Sequence, residues 1–382
     1  MSPSRPPGAG AAGWYIGLMS GTSLDGLDGV LAHVDAGCCR VVGHVALGLE
    51  AALRSELLAL NQRAGTDELH RAALAANALA RRYAEAVAAL LQAARLAPAD
   101  IRAIGAHGQT VRHQPGMHDG TGYTLQLNNP ALLAERSGIA VVADFRSRDV
   151  AAGGQGAPLV PAFHRQAFAD PQRTVAVLNL GGIANLSVLR PGSDPVGFDC
   201  GPANALMDGW CERHTGRPYD AGGTWAASGQ VLQSLLGAML AEPFFALPPP
   251  KSTGRDLFHM DWLERALQAA GCTGAAPQDV QATLAELTAH ACAQEMQRHA
   301  PDCRALVVCG GGALNAHLMA RLAAHLPGVE VGSSADRGLP PLQVEAAAFA
   351  WLAHQCVAGL AGSLPAVTGA RGPRILGAIY PA

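Results

Sequence analysis

Two segments of this chain follow one plan. Trp14–Val34 (WYIGLMSGTSLDGLDGVLAHV) and Thr174–Leu189 (TVAVLNLGGIANLSVL) each run from an apolar stretch through a turn of Gly, Ser, Thr or Asn into a second apolar stretch. That pattern predicts two β-hairpins. A duplicated hairpin points to two related halves facing each other across a cleft. Turn residues this small let backbone N–H groups and hydroxyls come close to an anion. The first turn also carries Asp25 and Asp28, more acid than a hairpin turn needs, and these can meet a metal ion or its waters. The pairing points to nucleotide phosphate, Mg²⁺ and a hinge.

A chain of 382 residues exceeds what one core usually organises, so two domains are expected. Its composition, 49% hydrophobic and 15% charged, supplies large cores and argues against disorder. The net charge of −3, the lack of a Lys/Arg run and an aromatic content of only 5% exclude nucleic acid and anionic membrane as partners. No stretch reaches the ~18 to 20 apolar residues of a membrane span. Residues 1–13, MSPSRPPGAGAAG, read as a flexible tail without the apolar core of a signal peptide. The nine cysteines are scattered and form no C-x-x-C. They read as reduced, mostly buried thiols of a cytosolic protein.

Along the chain, periodicity predicts a long amphipathic helix over Asp67–Leu96 and strands over Ile101–Ala106, Tyr123–Leu127 and Ile139–Ala143. In the second half a strand near Val196–Phe198 leads into a helix over Ala205–Arg213. Helices follow over Asp261–Ala270 and Asp279–Gln297. A strand over Ala305–Cys309 and helices over Asn315–His325 and Gln343–Val357 complete the pattern. Alternating strands and helices with glycine at strand ends indicate an α/β protein whose ligands sit beyond the carboxyl ends of the strands.

Several of those loops carry chemistry. Gly310-Gly311-Gly312 joins a strand to a helix, either as a tight turn or as bare backbone on which an adenine or phosphate rests. Asp199, at a strand end before Cys-Gly-Pro, is either a helix cap or a catalytic base. Asp144 and Asp149 compete for the base role, with Arg146 and Arg148 as ion-pair partners in a structural alternative. His107 with Gln109, and Gln155 in its Gly-rich loop, suit recognition of a polar ligand. Lys251-Ser252-Thr253 looks like the end of a P-loop, but prolines stand where its glycines belong, so it reads as a solvated loop.

From Tyr15 to Pro381 these segments together resemble the anhydro-N-acetylmuramic acid kinases. The motifs that carry the resemblance are GLMSGTSLDGLD (Gly17–Asp28), IGAHGQTVRH (Ile104–His113), ADFRSRDVAAGGQGAPLVPAFH (Ala143–His164), LNLGGIANLS (Leu178–Ser187), GFDCGPANALMD (Gly197–Asp208), PKSTGRD (Pro250–Asp256), VCGGGALN (Val308–Asn315) and the closing TGARGPRILGAIYP. The resemblance implies an α/β, two-lobe actin-like ATPase (ribonuclease H-like) fold with an interdomain cleft. Residues 14–160, completed by 358–382, would form one lobe and residues 161–357 the other. It implies ATP with Mg²⁺, and phosphorylation of anhydro-N-acetylmuramic acid at O6 coupled to hydrolysis of its 1,6-anhydro ring.

By the same resemblance Asp199 is the base for the attacking water. Gly21, Thr22, Ser23, Leu24, Asp25, Gly26, Leu27 and Asp28 hold phosphate, with Asp25 near Mg²⁺ through water. Asn179, Gly181 and Gly182 hold the phosphates from the other side, and Gly310, Gly311 and Gly312 face the adenosine. His107, Arg148, Gln155 and Glu345 contact the sugar or the transferring phosphate. The resemblance further implies a cytoplasmic homodimer acting in peptidoglycan recycling. Two rivals are a glycoside hydrolase using Asp199 with Asp149 and a non-catalytic sugar sensor or ATPase scaffold on the same fold.

Overall fold

Both duplicated segments fold as antiparallel hairpins in a computed structural model that describes residues 12–382, apart from 22–23, 25, 36, 62–64 and 255–256. Thr22, Ser23 and Asp25 of the first turn thus lie outside the described residues, as does most of the 1–13 tail. The chain divides into two compact units, one drawn from Met1–Ala167 with Gln343–Ala382, the other Phe168–Leu342.

In the first unit, β1 (Gly13–Ser20), β2 (Gly26–Val34) and β3 (Cys39–Gly48) form an antiparallel meander. Next to β1 come β4 (Ile101–Ala106) and, beyond it, β7 (Val141–Ala143), both parallel, with the closing strand Ala378–Tyr380 at the edge. A separate ribbon pairs β5 (Gln109–Pro115) with β6 (Gly122–Leu127). Strand β1 reads as continuously apolar because both faces of the sheet are covered there. On one face Ile16 and Leu18 meet Leu79, Tyr83, Val87 and Leu90 of the helix Glu68–Ala94. Those four residues recur at spacings of three and four, the apolar stripe of a helix. Gly17 and Gly105 point to the other face by strand alternation. A Cβ on Gly17 would overlap the carbonyl oxygen of Ala346, and one on Gly105 that of Phe349. The helix Val344–Ala358 therefore lies directly on the backbone of β1 and β4.

The second unit repeats this plan strand for strand. β8 (Val175–Leu180), β9 (Ile183–Leu189) and β10 (Val196–Pro202) form the meander, β11 (Ala305–Cys309) lies parallel beside β8, and β12 (Glu330–Ser333) parallel beside β11. The order β12-β11-β8-β9-β10 matches β7-β4-β1-β2-β3 in the first unit. The likeness of two short hairpins in the sequence thus extends to five strands of each sheet. A largely buried helix, Pro277–His299, packs against the second sheet.

The unit boundaries fall at 167/168 and 342/343, against the 160/161 and 357/358 expected from sequence. The helix Val344–Ala358 belongs to the first unit, to which the resemblance returns the C-terminal helix, although the boundary expected at 357/358 left it in the second lobe. It is apolar nearly all round, so its pattern does not say which sheet it covers. The glycines beneath it decide that.

Candidate functional site

In the first unit Leu24, between β1 and β2, is pinned from inside. Leu24 has φ +58°, a region costly for a branched residue, and its side chain is buried against Leu57, Leu60, Ala75 and Val111. That burial holds the strained backbone in place. Ser20 Oγ donates to Gln109 Oε1 at 2.5 Å, tying the turn to the His107–Gln109 segment. Gly21 accepts from the Leu24 N–H at 3.2 Å. Asp28 is the third residue of β2 and pairs with His44 Nε2 at 2.8 Å.

His107 follows β4 and is 4% exposed. Its Nε2 accepts from Arg146 Nε (3.1 Å) and Nη2 (3.0 Å). Burial, then the Arg146 guanidinium, push its pKa well below the usual imidazole value, so the ring is a neutral acceptor at physiological pH. Arg146 Nη1 donates to Gly156 O at 2.7 Å, joining the His107 turn to the Gly-rich loop. Arg146, weighed from sequence only as an ion-pair partner, thus ties the His107 turn to the Gly-rich loop, and Arg148 lies exposed in the short helix Ser147–Ala151. Gln155 is exposed, held by its N–H to Thr368 O at 2.7 Å. Glu345 stands, half-buried, in the first turn of Val344–Ala358.

The two competing aspartates have other work. Asp144 is exposed, in the left-handed region at φ +56°, and accepts from the Ser147 N–H at 3.3 Å at the start of a helix. Asp149 is 0% exposed. One of its oxygens accepts from the Gly156 N–H and the other from Thr368 Oγ1, both at 2.8 Å. Gly154 closes over it so tightly that a Cβ there would overlap Oδ2. A carboxylate sealed in this way does not reach a water, which removes the second acid of the hydrolase reading. Asp149→Ala should cost about 3 kcal/mol of stability, because a buried N–H and a buried hydroxyl lose their acceptor. A urea unfolding midpoint equal to wild type would contradict this.

In the second unit a polar row crosses four strands. Cys309, Asn179, Asn185 and Asp199 pair side by side on β11, β8, β9 and β10, so they share one face of the sheet. Cys309 Sγ lies 3.7 Å from Asn179 Oδ1. The Gly181-Gly182 turn is fixed from behind by Asn204 N–H to Gly181 O and Ala203 N–H to Gly182 O, both 3.0 Å. Gly310 sits against the same hairpin at φ +78°, where a Cβ would lie 2.5 Å from Asn179 Oδ1; one on Gly312 would lie 2.5 Å from Leu180 Cβ. The glycine loop and the second hairpin therefore nest together, with Gly311 exposed. This is the bare-backbone surface that a flat base or a phosphate requires, and the residues fit a nucleotide in that sense.

Asp199 is no helix cap. It stands on β10, and the next helix starts at Asn204 with Ala203 before it. The strand register slips between Asp199 and Gly201, a bulge of the kind that re-aims a side chain. Asp199 Oδ2 accepts from the Thr253 N–H at 2.9 Å. Lys251, expected in a solvated loop, is 7% exposed, with Nζ 3.2 Å from Glu295 Oε1. A proline-rich stretch gives no sign of a partner 44 residues later in a helix, so this pairing was missed from sequence. No group of three or more His, Cys, Asp or Glu side chains converges among the described residues, and no helix there is long and apolar enough to cross a membrane.

A family profile for anhydro-N-acetylmuramic acid kinase matches residues 13–382. The anhydro-N-acetylmuramic acid kinase of Variovorax paradoxus (strain S110) is 62% identical over 373 residues, covering 96% of this chain and 99% of its own. That of Albidiferax ferrireducens is 60% identical over 388 residues, covering 96% and 99%. A ROK family glucokinase from Streptomyces griseus, solved with glucose and AMPPNP, has a TM-score of 0.41 at 15% identity, covering 90% of this chain and 100% of that one. The chain is an α/β enzyme of the sugar kinase class. It belongs to the anhydro-N-acetylmuramic acid kinase family.

Proposed function

We propose that the protein transfers the γ-phosphoryl group of ATP to O6 of 1,6-anhydro-N-acetylmuramic acid while water opens the anhydro ring, giving N-acetylmuramic acid 6-phosphate. The observation that carries this reading is Asp199. In a chain of this family, it is an acid aimed by a strand bulge and steadied by a backbone N–H, in the same sheet as a small-residue cradle.

The step needs one base. Water oxygen bonds to C1 as the C1–O6 bond breaks, and Asp199 takes the water proton. The electron pair left on O6 forms the new bond to phosphorus as the bond to ADP breaks. Phosphoryl transfer asks for alignment and charge neutralisation more than for covalent help. Asn179, Gly181 and Gly182 would hold phosphate, and Gly310–Gly312 the adenosine, within the second unit. From the first unit Gly21, Thr22, Ser23, Leu24, Asp25, Gly26, Leu27 and Asp28 would hold phosphate. His107, Gln155, Arg148 and Glu345 would contact the sugar or the transferring group, with Arg146 setting His107 as a neutral acceptor. Mg²⁺ would neutralise phosphate charge; held through water by Asp25 and by the phosphates themselves, it needs no cluster of protein ligands. The same reading makes the protein a cytoplasmic homodimer of peptidoglycan recycling, with no nucleic-acid or membrane partner.

Product analysis tests it. Purified protein, anhydro-N-acetylmuramic acid and Mg²⁺ are incubated in ¹⁸O-water with and without ATP and resolved by mass spectrometry. One ATP-dependent product carrying a phosphate and a single ¹⁸O at C1 is expected. An opened, unphosphorylated sugar formed without ATP would replace this function by hydrolysis, and an unchanged sugar would replace it by binding alone or by action on another sugar.

A further inference from the structure

We propose that the segment Pro250–Gly254 is a strap that positions Asp199, with Thr253 and Lys251 as positioning residues for turnover; this deepens, and rests on, the reading of Asp199 as the base. The strap grips Asp199 twice. The Asp199 N–H donates to Lys251 O at 3.1 Å, and the Thr253 N–H donates to Asp199 Oδ2 at 2.9 Å. Strand β10 is the edge of its sheet, so the strap supplies, on its outer side, the backbone partner that an interior strand would have. The second contact fixes the carboxylate itself. A hydrogen bond to the ionised form favours that form, and a base must be both ionised and aimed at its water.

The strap needs an anchor, and Lys251 is that anchor. Its ammonium lies 3.2 Å from Glu295 Oε1 and 3.4 Å from Phe244 O, and 4.8 Å from the centre of the Phe244 ring. Both side chains of the Lys251–Glu295 pair are 2% exposed. Glu295 also accepts from Arg298 Nη1 at 3.1 Å, and His299 Nε2 lies 3.4 Å from its other oxygen. A buried ion pair is weak evidence for stability, because desolvation offsets much of the attraction and an apolar pair of equal volume holds a loop as well. Apolar side chains slide past one another, however, whereas an ammonium on a carboxylate and a carbonyl sets the strap's register. Thr253 lies two residues further along, and its N–H meets Asp199 only in one register. Thr253 Oγ1 is buried without a hydrogen-bond partner, so the main-chain N–H is the working group of this residue.

The test uses full-length protein and measures kcat, KM for ATP and for the anhydro sugar, and Tm. Thr253→Pro deletes the N–H donor and should lower kcat roughly ten- to hundredfold with both KM values within about threefold of wild type. Thr253→Ala keeps the N–H and should keep native kcat. Lys251→Met/Glu295→Met removes the register without leaving a buried charge unpaired. It should fold and lower kcat about tenfold with KM unchanged. Native kcat in a folded Thr253→Pro overturns the proposal, as does a loss in Thr253→Ala equal to that in Thr253→Pro. Where Thr253→Pro does not fold, the double variant decides: native kcat overturns the strap, and a kcat loss at constant KM supports it. Asp199→Asn, run in parallel, separates the two readings. If it stays active the base assignment fails; if it is inactive while the strap variants turn over normally, the strap alone fails.

Discussion

Asp199→Asn is expected to lower kcat about a thousandfold while ATP and sugar binding stay within a few-fold of wild type. The carboxamide has the shape of the carboxylate, and its oxygen can still accept from the Thr253 N–H now 2.9 Å from Oδ2. The variant therefore keeps this hydrogen bond and loses the proton acceptor. A thousandfold loss is about 4 kcal/mol of transition-state stabilisation, within the range of a positioned general base. The comparison that gives the number meaning is Asp144→Asn. That residue is an exposed helix-start acceptor, so its removal should leave kcat unchanged. Calorimetric binding of ATP and of the sugar, with steady-state turnover of both variants, checks the expectation. Turnover in Asp199→Asn within tenfold of wild type would move the base elsewhere, and Asp149, buried and doubly bonded, could not inherit the role.

The elements that local chemistry determines were legible in the sequence. Turn glycines between apolar runs marked both hairpins, and helical spacing marked Glu68–Ala94 to within two residues at either end. Gly310–Gly312 was readable as a bare-backbone turn because only glycine leaves that surface open. What was not legible depends on partners remote in sequence. Arg146 and Arg148 look alike as neighbours of two aspartates, but two residues on a helix point about 200° apart. Which one meets His107 depends on where a five-residue helix begins. Lys251 reads as a surface residue until Glu295, on the helix Pro277–His299, is placed beneath it. Asp149 reads as a candidate base until Thr368, 219 residues later, is seen to occupy one of its oxygens. Asp199 was left open between cap and base because the bulge after it is a property of strand pairing, which no local pattern records.

Gly17→Ala and Gly105→Ala should each destabilise the protein by about 3 kcal/mol, although strand propensity alone has the opposite sign. An interior strand glycine costs about 0.5–1 kcal/mol relative to alanine, so the substitution would stabilise if the new methyl had room. It has none. At Gly17 it would overlap the Ala346 carbonyl oxygen and stand 2.6 Å from the Ala350 nitrogen; at Gly105 it would overlap the Phe349 oxygen. These obstacles are helix backbone and cannot turn aside like a side chain, so the helix Val344–Ala358 must lift, at the upper end of what overpacking costs. Gly48→Ala is the control: nothing lies within 4 Å of a Cβ there, and its stability should match or slightly exceed wild type. Urea unfolding of the three variants tests the ordering, and a Gly17 or Gly105 variant as stable as Gly48→Ala would show that the helix does not rest on the strands. The two core variants should also differ in activity. Ala346, the residue struck by Gly17→Ala, directly follows Glu345, a proposed contact to the sugar or the transferring phosphate, whereas Phe349 lies one helical turn further on. Misplacing a substrate contact by about 1 Å can cost a hundredfold in rate, so at comparable stability loss Gly17→Ala should lose the more turnover. Equal losses would mean that a shift at Phe349, whose ring packs 4.6 Å from that of His107, costs as much turnover as a shift at Glu345.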